Sequence, residues 1–314
     1  MIVTVTANPS LDRAVRLDAP LRAGEVQRAG SVREDAGGKG VNVARALRAA
    51  GIATIAVVPC AADDPYRLLL DRTGIAVRRV EVLGRVRANL TLTDPAGTTT
   101  KINLPGPEMS ESECSALIAG VVAACEGAEW VVFAGSLPPG LSDGFYADAI
   151  AAVRARWGAD APRVAVDTSG RALERVVADA APDLIKPNEE ELSELAGSTG
   201  EADIAASALA QARALVPAKV GAALVTLGAR GALLVTADTS LRAHAPRIEV
   251  ASTVGAGDSS LAGYLIAAVA GAAADLRLRT AVAYGAAAAS LPGTQIPTPS
   301  EIPPWDLEVT PITH

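Results

Sequence analysis

From about residue 110 the apolar positions switch repeatedly between two periods. Apolar residues three and four apart predict helices over 110–125, 142–156, 170–179, 188–196 and 202–215. Between them lie short β-branched runs at 129–134, 163–167, 183–186 and 222–227. Each run is apolar on both faces, as a strand covered on both sides must be. Strand and helix in strict alternation predict a parallel sheet between two helical layers, an α/β fold. A strand at 2–6, a helix from the 36–44 segment to Gly51, a strand at 52–58 and a helix from Asp63 or Asp64 to Gly74 extend the pattern to the start. Two other stretches behave differently. Residues 14–17 with 26–33, and then 77–103, alternate apolar and polar over a few residues only, with Asp94-Pro95-Ala96-Gly97 as a turn. They predict half-exposed strands in a small sheet projecting from the body. The expected division is a core of 1–11, 36–75 and 105–314 and a discontinuous lid of 12–35 and 76–104. Pro292 to His314 holds six prolines and is expected to lie extended over the body.

Composition narrows the chemistry. Half of the 314 residues are apolar but 3% are aromatic, so the core is built of Ala, Val, Leu and Ile. The net charge of -7, with no basic run, argues against nucleic acid or an anionic membrane surface as partner. Cys60, Cys114 and Cys125 are odd in number and far apart, which fits a reducing compartment and neither a disulfide framework nor a zinc site. With two histidines in the chain, His-centred catalysis is all but excluded. The first residues read as a strand and not as a signal peptide, and the run Leu261–Ala274 is too short to span a bilayer. The expectation is a cytoplasmic protein.

Candidate chemistry concentrates in glycine-rich segments. In Ser252-Thr253-Val254-Gly255-Ala256-Gly257-Asp258-Ser259, a strand-like run at Ile248–Val250 is expected to enter and a helix to leave. Gly255-Ala256-Gly257 then lies at a helix N-terminus, where unpaired N–H groups attract an anion, and Asp258 sits among them. Alone, that carboxylate reads as a cap. Gly37-Gly38-Lys39-Gly40 resembles two phosphate loops and satisfies neither Gly-x-x-x-x-Gly-Lys-Ser/Thr nor Gly-x-Gly-x-x-Gly. It offers a backbone cradle with Lys39 for an anion and Asn42 for a hydroxyl. Lys186-Pro187-Asn188-Glu189-Glu190-Glu191 opens a helix, so its acids are either dipole partners or orient waters around Mg²⁺. Thr226-Leu227-Gly228-Ala229-Arg230-Gly231 reads as a hairpin turn able to face a nucleotide. Gly135-Ser136-Leu137-Pro138-Pro139-Gly140 is a rigid loop after a strand. Arg87 and Lys101, on the projecting strands, read either as solvated surface cations or, together with Lys39, as a phosphate clamp.

In their joint order, with Asn8-Pro9-Ser10-Leu11-Asp12, these segments closely resemble the PfkB (ribokinase-like) family of sugar kinases from Ile2 to about Gly293. Ser252-Thr253-Val254 before the Gly-Ala-Gly-Asp segment, and Lys101 to Gly106, resemble its phosphofructokinase and tagatose-6-phosphate kinase branch. The resemblance implies a ribokinase-like three-layer fold and transfer of the ATP γ-phosphoryl group, with Mg²⁺, to a phosphorylated ketohexose. Fructose 1-phosphate comes first, with tagatose 6-phosphate and fructose 6-phosphate open. It further implies Asp258 as base, with Gly255, Ala256 and Gly257 as the anion hole. Asp12, Gly38, Lys39 and Asn42 would bind the sugar, and Arg87, Lys101 and Ser136 its phosphate end. Lys186, Asn188, Thr226, Gly228, Gly231 and Gly285 would serve the nucleotide. Asn188 and Glu191 would manage the metal through water, and the lid would pair two subunits into a homodimer. Two departures stand out: Ala61 where the family's first signature usually has glycine, and the proline-rich tail where it has a helix. A catalytically silent sugar-phosphate sensor is the alternative of another class. A dehydrogenase is disfavoured by the incomplete Gly-x-Gly-x-x-Gly.

Overall fold

The computed structural model describes residues 1–197 and 203–312. The chain opens with β1 (Ile2–Val5), passes through β2 (Ser10–Leu17) and β3 (Ala29–Gly37), and continues with α1 (Lys39–Ala49), β4 (Thr54–Cys60), α2 (Tyr66–Arg72) and β5 (Ala76–Glu81). A hairpin of β6 (Arg87–Thr93) and β7 (Thr99–Asn103) follows. Next come α3 (Glu111–Ala124), β8 (Trp130–Ala134), α4 (Phe145–Trp157), β9 (Arg163–Asp167), α5 (Gly170–Asp179), β10 (Leu184–Ile185), α6 (Glu189–Ala196), α7 (Ile204–Leu215) and β11 (Ala222–Thr226). Then β12 (Ala232–Thr236), β13 (Ser240–Ala243), α8 (Ala256–Val269), α9 (Ala274–Ala289) and β14 (Val309–Pro311) lead to the end of the described chain.

The large sheet has the order β14-β13-β12-β11-β10-β9-β8-β1-β4-β5, parallel from β11 to β5 and antiparallel beyond β11. Its central strands are almost wholly apolar because both faces are covered, with Thr4 inside β1 an exception. In β8, Val131 and Phe133 pack with residues of α3 and α4, while Trp130, Val132 and Ala134 pack with residues of α1, α8 and α9. Fully burying one such side chain stabilises by about 1.5–3 kcal/mol, so charged residues in this layer are confined to the strand ends. The chain moves from β1 outward to β4 and β5, and later from β8 outward to β11. The strand order therefore reverses between β1 and β8, and a crevice at the carboxyl ends of these strands is where such sheets take ligands.

The small sheet has the order β3-β2-β6-β7. Strand β5, expected in the projecting group, is instead the edge of the large sheet, parallel to β4. An edge strand is half-exposed, so its alternation resembles that of a lid strand. The tail is not merely draped: β14 adds an antiparallel edge strand to β13. The strand expected at Ile248–Val250 does not form either. Val250 is 59% exposed, and the entry to α8 is held by Ala251 and Ser252 N–H groups donating to the Ala289 carbonyl (2.9 and 3.2 Å) at the end of α9.

Candidate active site

The crevice above β1, β8, β9 and β10 collects most of the glycine-rich segments. Gly38 has φ +115°, and a Cβ there would lie 2.6 Å from Thr6 Cγ2 at the end of β1. Glycine is thus required for β3 to turn into α1 across the mouth of the sheet. That turn fixes Lys39 and Asn42 on the first coils of α1, facing the crevice.

At the opposite side, Gly255 adopts the left-handed conformation (φ 79°, ψ -4°) and starts α8. The helical ladder begins with Ser259 N–H donating to Gly255 O at 2.9 Å. The N–H groups of Gly257 and Asp258 therefore have no carbonyl one turn back within the helix, which leaves an anion-attracting end. Asp258 is buried there, and its Oδ2 accepts from Asn42 Nδ2 at 2.8 Å. Its side chain does not cap its own helix. Burial, helped by the negative charge of Asp167, pushes the Asp258 carboxyl up to about 6, while Lys39, the Asn42 bond and Lys186 oppose the rise.

Asp167, which the sequence reading passed over, closes the centre of the site. It ends β9 with its side chain fully buried. Lys39 Nζ lies 2.9 Å from Oδ1, and Lys186 Nζ lies 3.3 Å from Oδ2. Burial alone would raise Asp167, but Lys186 and Lys39 outweigh it and hold the carboxyl below its usual range. Lys39 is raised in turn, chiefly by Asp167. Lys186 also reaches the glycine turn at the start of α8, since a Cβ on Gly257 would lie 3.3 Å from its Nζ.

On the small sheet Asp12, Asn89 and Asn103 lie side by side in register across β2, β6 and β7, two pairs along from Ser10 and Arg87 and on the same face. Ser10 Oγ (2.7 Å) and Asn89 Nδ2 (3.1 Å) donate to Asp12 Oδ1. Burial raises the Asp12 carboxyl above its ordinary value, and Ser10, Asn89 and Arg87 oppose that. Arg87 Nη1 donates to Leu104 O at 3.3 Å, while its Nε is buried without a hydrogen-bond partner among the described residues. The Asn42 and Asn89 amide oxygens are unpartnered in the same sense. Buried polar atoms are seldom left so, which makes these three candidate contacts for a polar ligand. Asn8 Nδ2 donates to Ser136 Oγ at 3.3 Å and sets that hydroxyl after β8. The three cations expected as one clamp have different neighbours. Lys39 is held by Asp167 and Arg87 by the Leu104 carbonyl, while Lys101 is exposed on β7, on the Asp12 face.

Residues 186–191 and 226–231 are brought side by side. Asn188 bridges to Thr226, Thr226 N–H donates to Pro187 O (3.0 Å), and Arg230 pairs with Glu189 at 2.6 Å. Gly228 and Gly231 frame a single 3₁₀ turn between β11 and β12, as a hairpin requires. Asn188 and Glu191 form a reciprocal capping box: Asn188 Oδ1 accepts from Glu191 N–H (2.8 Å), and Glu191 Oε2 accepts from Asn188 N–H (2.9 Å). The box engages one of the two Glu191 carboxylate oxygens, and the charge of Glu191 contributes to the raised state of Lys39. Gly285 lies on α9, where a Cβ would come within 3.3 Å of Ala256 O and Ser260 Cβ. The structure gives it a packing task, letting α9 approach the first turn of α8.

Comparison with known proteins decides the family. Residues 5–301 match the model of the pfkB family of carbohydrate kinases. The chain belongs to that family. This pfkB kinase is 37% identical over 268 residues to a 1-phosphofructokinase of Xanthomonas campestris, covering 83% of the chain and 82% of that relative. A crystal structure of phosphofructokinase-2 from Escherichia coli, in complex with substrates and products, superposes with a TM-score of 0.86 at 30% identity over 96% of both chains. The expected ribokinase-like fold holds as well. Arabidopsis thaliana ribokinase, at 23% identity, matches 96% of both chains with a TM-score of 0.73. The chain is a phosphotransferase with an alcohol group as acceptor. Among its described residues no helix is long and apolar enough to cross a membrane.

Proposed function

We propose that this kinase transfers the γ-phosphoryl group of ATP to a hydroxyl of a phosphorylated ketohexose, with fructose 1-phosphate giving fructose 1,6-bisphosphate. The observation that carries the reading is the Asp258 carboxylate. It is buried at the glycine-lined start of α8, raised to about 6 and held by Asn42. A base of that strength accepts the hydroxyl proton as the phosphoryl group moves, and phosphoryl transfer asks for positioning and charge stabilisation more than for a strong base. Asn42 occupies Oδ2 and turns Oδ1 to the substrate. The free N–H groups of α8 and the ammonium of Lys186 face the oxygens of the transferring group. Asp12 and Asn89 receive sugar hydroxyls, and Arg87 with Ser136 takes the phosphate already on the sugar. The small sheet covers the acceptor and excludes water, which competes with the hydroxyl. The paired 186–191 and 226–231 segments take the nucleotide.

The acidic start of α6 suits Mg²⁺ held through water, because the capping box leaves a Glu191 oxygen for the hydration shell of an ion that keeps most of its waters. The ion supplies charge neutralisation for the ATP phosphates. Glu191→Gln, which keeps the box, is expected to lower kcat and raise the Mg²⁺ concentration needed for half-maximal rate. Sugar KM stays put. An unchanged Mg²⁺ dependence would leave Glu191 as a cap alone.

The Xanthomonas relative favours fructose 1-phosphate, and a crystal structure of Escherichia coli phosphofructokinase-2 in complex with fructose 6-phosphate makes that sugar the second acceptor to test. Comparing kcat/KM for fructose 1-phosphate, fructose 6-phosphate and tagatose 6-phosphate in a coupled ADP assay decides. The first is expected to lead by at least about tenfold, a transition-state difference of about 1.4 kcal/mol. A higher value for either other sugar would reassign the acceptor.

The reading extends to a homodimer. The face of the small sheet away from Asp12 carries Val15 beside Val32 and Leu90 beside Ile102, with Val32 57% and Ile102 46% exposed. Adjoining it, Val26 is fully exposed. Such a patch suits a second copy of the same sheet. Sedimentation velocity is expected to show a dimer that Val32→Asp with Ile102→Asp converts to monomer; a wild-type monomer would refute it.

A further inference from the structure

We propose that Asp167 is the positioning residue of the transfer step: its buried carboxylate holds the ammonium groups of Lys39 and Lys186 apart and in place, one toward the acceptor and one toward the anion-binding turn. The inference rests on the kinase reading above and gives Lys39 a task at the transfer end of the site, beyond the acceptor's own phosphate.

The backbone around Asp167 is fixed on both sides. Gly135 N–H donates to Asp167 O, and Lys186 N–H donates to Val166 O, each at 2.9 Å. One short strand end thus sets the segments carrying Ser136 and Lys186 as well as its own side chain. Each carboxylate oxygen faces a different lysine, Oδ1 at 2.9 Å from Lys39 and Oδ2 at 3.3 Å from Lys186. The second contact is an ion pair without hydrogen-bond alignment, which leaves Oδ2 unpartnered as an acceptor among the described residues. The Lys186 side chain is 5% exposed and that of Lys39 38%, so one cation is sealed in and the other opens to the crevice. Two lysines and one carboxylate give the triad a net positive charge, which faces the Asp258 carboxylate across the crevice. Without Asp167 the two ammonium groups would repel, and Lys39, on a flexible four-carbon stem, would stay near the crevice but lose its fixed geometry. Holding donors in place before substrate arrives removes reorganisation from the reaction step.

An ion triad that only supports the fold is separated by its effect on the base. The charged groups facing Asp258 are Lys39 from α1, Asp167 from β9 and Lys186 after β10. In Asp167→Asn one negative neighbour of Asp258 is lost and two positive ones remain, so Asp258 ionises at lower pH. The experiment measures kcat and its pH profile for wild type and Asp167→Asn, with a thermal melt to verify folding. It also measures, in wild type, the pH dependence of reductive methylation at Lys39 and exposed Lys101 by peptide mass spectrometry. Expected are a kcat lower by about tenfold to a hundredfold and an acid limb moved down by about half a pH unit or more. Lys39 should reach half-maximal labelling at higher pH than Lys101, since Asp167 raises it. An acid limb that stays in place in a folded variant, or equal labelling midpoints, would overturn the proposal. If the variant does not fold, the wild-type labelling midpoints decide. A wild-type chain without any kinase activity would overturn the kinase reading and this role with it, while the labelling would still report the ion pair.

Discussion

Asp258→Asn is expected to lower turnover by about a hundredfold to ten-thousandfold, the weight of a general base, while the affinities for ATP and phosphosugar stay within a few-fold. The amide is nearly isosteric and still accepts from Asn42, so the start of α8 and its free N–H groups remain. What is lost is the ability to take the hydroxyl proton. The same group sets the pH dependence of the wild type. Asp258 is raised to about 6, by burial first and Asp167 second. Protonation removes the base, so kcat/KM falls as pH drops through about 6, tenfold per unit below it, and is flat above until another group titrates. Steady-state rates between pH 4.5 and 8 check both parts. Turnover within a few-fold of wild type would return Asp258 to a local, structural role.

The second large effect lies on the small sheet. Arg87 stands in register with Ser10, near Asp12, with its Nε buried and without a hydrogen-bond partner among the described residues and one Nη on the Leu104 carbonyl. A phosphate reaching that guanidinium gains charge-assisted hydrogen bonds of about 1.5–3 kcal/mol. Arg87→Ala should therefore raise KM for the phosphosugar by roughly tenfold to a hundredfold, at 1.4 kcal/mol per factor of ten. KM for ATP and residual activity on unphosphorylated fructose should hardly move. Raising the salt concentration should imitate part of the loss, because the group is partly open to solvent. If ATP binding weakened instead, Arg87 would belong to the nucleotide end.

Much of this was legible in the sequence because the residues obey one physical rule at a time. The strands from β8 to β11 are apolar on both faces and end at a polar residue or a glycine, which is what a covered parallel sheet imposes. Gly255-Ala256-Gly257-Asp258 announces a helix start, and so does the acidic run after Lys186-Pro187, where the structure adds a capping box of Asn188 and Glu191. Other parts obey two rules at once. Strand β5 is both a large-sheet edge and half-exposed, so its pattern could not separate it from the small sheet. Nearly half of helix α9 is alanine, with Ala286 to Ala289 in an unbroken row, which blurs its apolar stripe. The run Ile248–Val250 has strand-forming residues but no strand beside it, and propensity without a partner forms nothing. Asp167 escaped notice because one acid ending an apolar strand is common, and its two lysines stand 128 residues before it and 19 after it in sequence. The cue was a charge at the mouth of the sheet, in line with Ser136 and Lys186 on the neighbouring strand ends.

The central claim is that a phosphoryl group passes from ATP to a phosphosugar hydroxyl at Asp258. Phosphorus NMR of wild-type enzyme with ATP, Mg²⁺ and fructose 1-phosphate tests it most directly, with Asp258→Asn run alongside. The account predicts growth of the two phosphate resonances of fructose 1,6-bisphosphate in step with ADP, and almost none with the variant over the same time. Loss of ATP to inorganic phosphate alone, or equal bisphosphate formation by the variant, would contradict it.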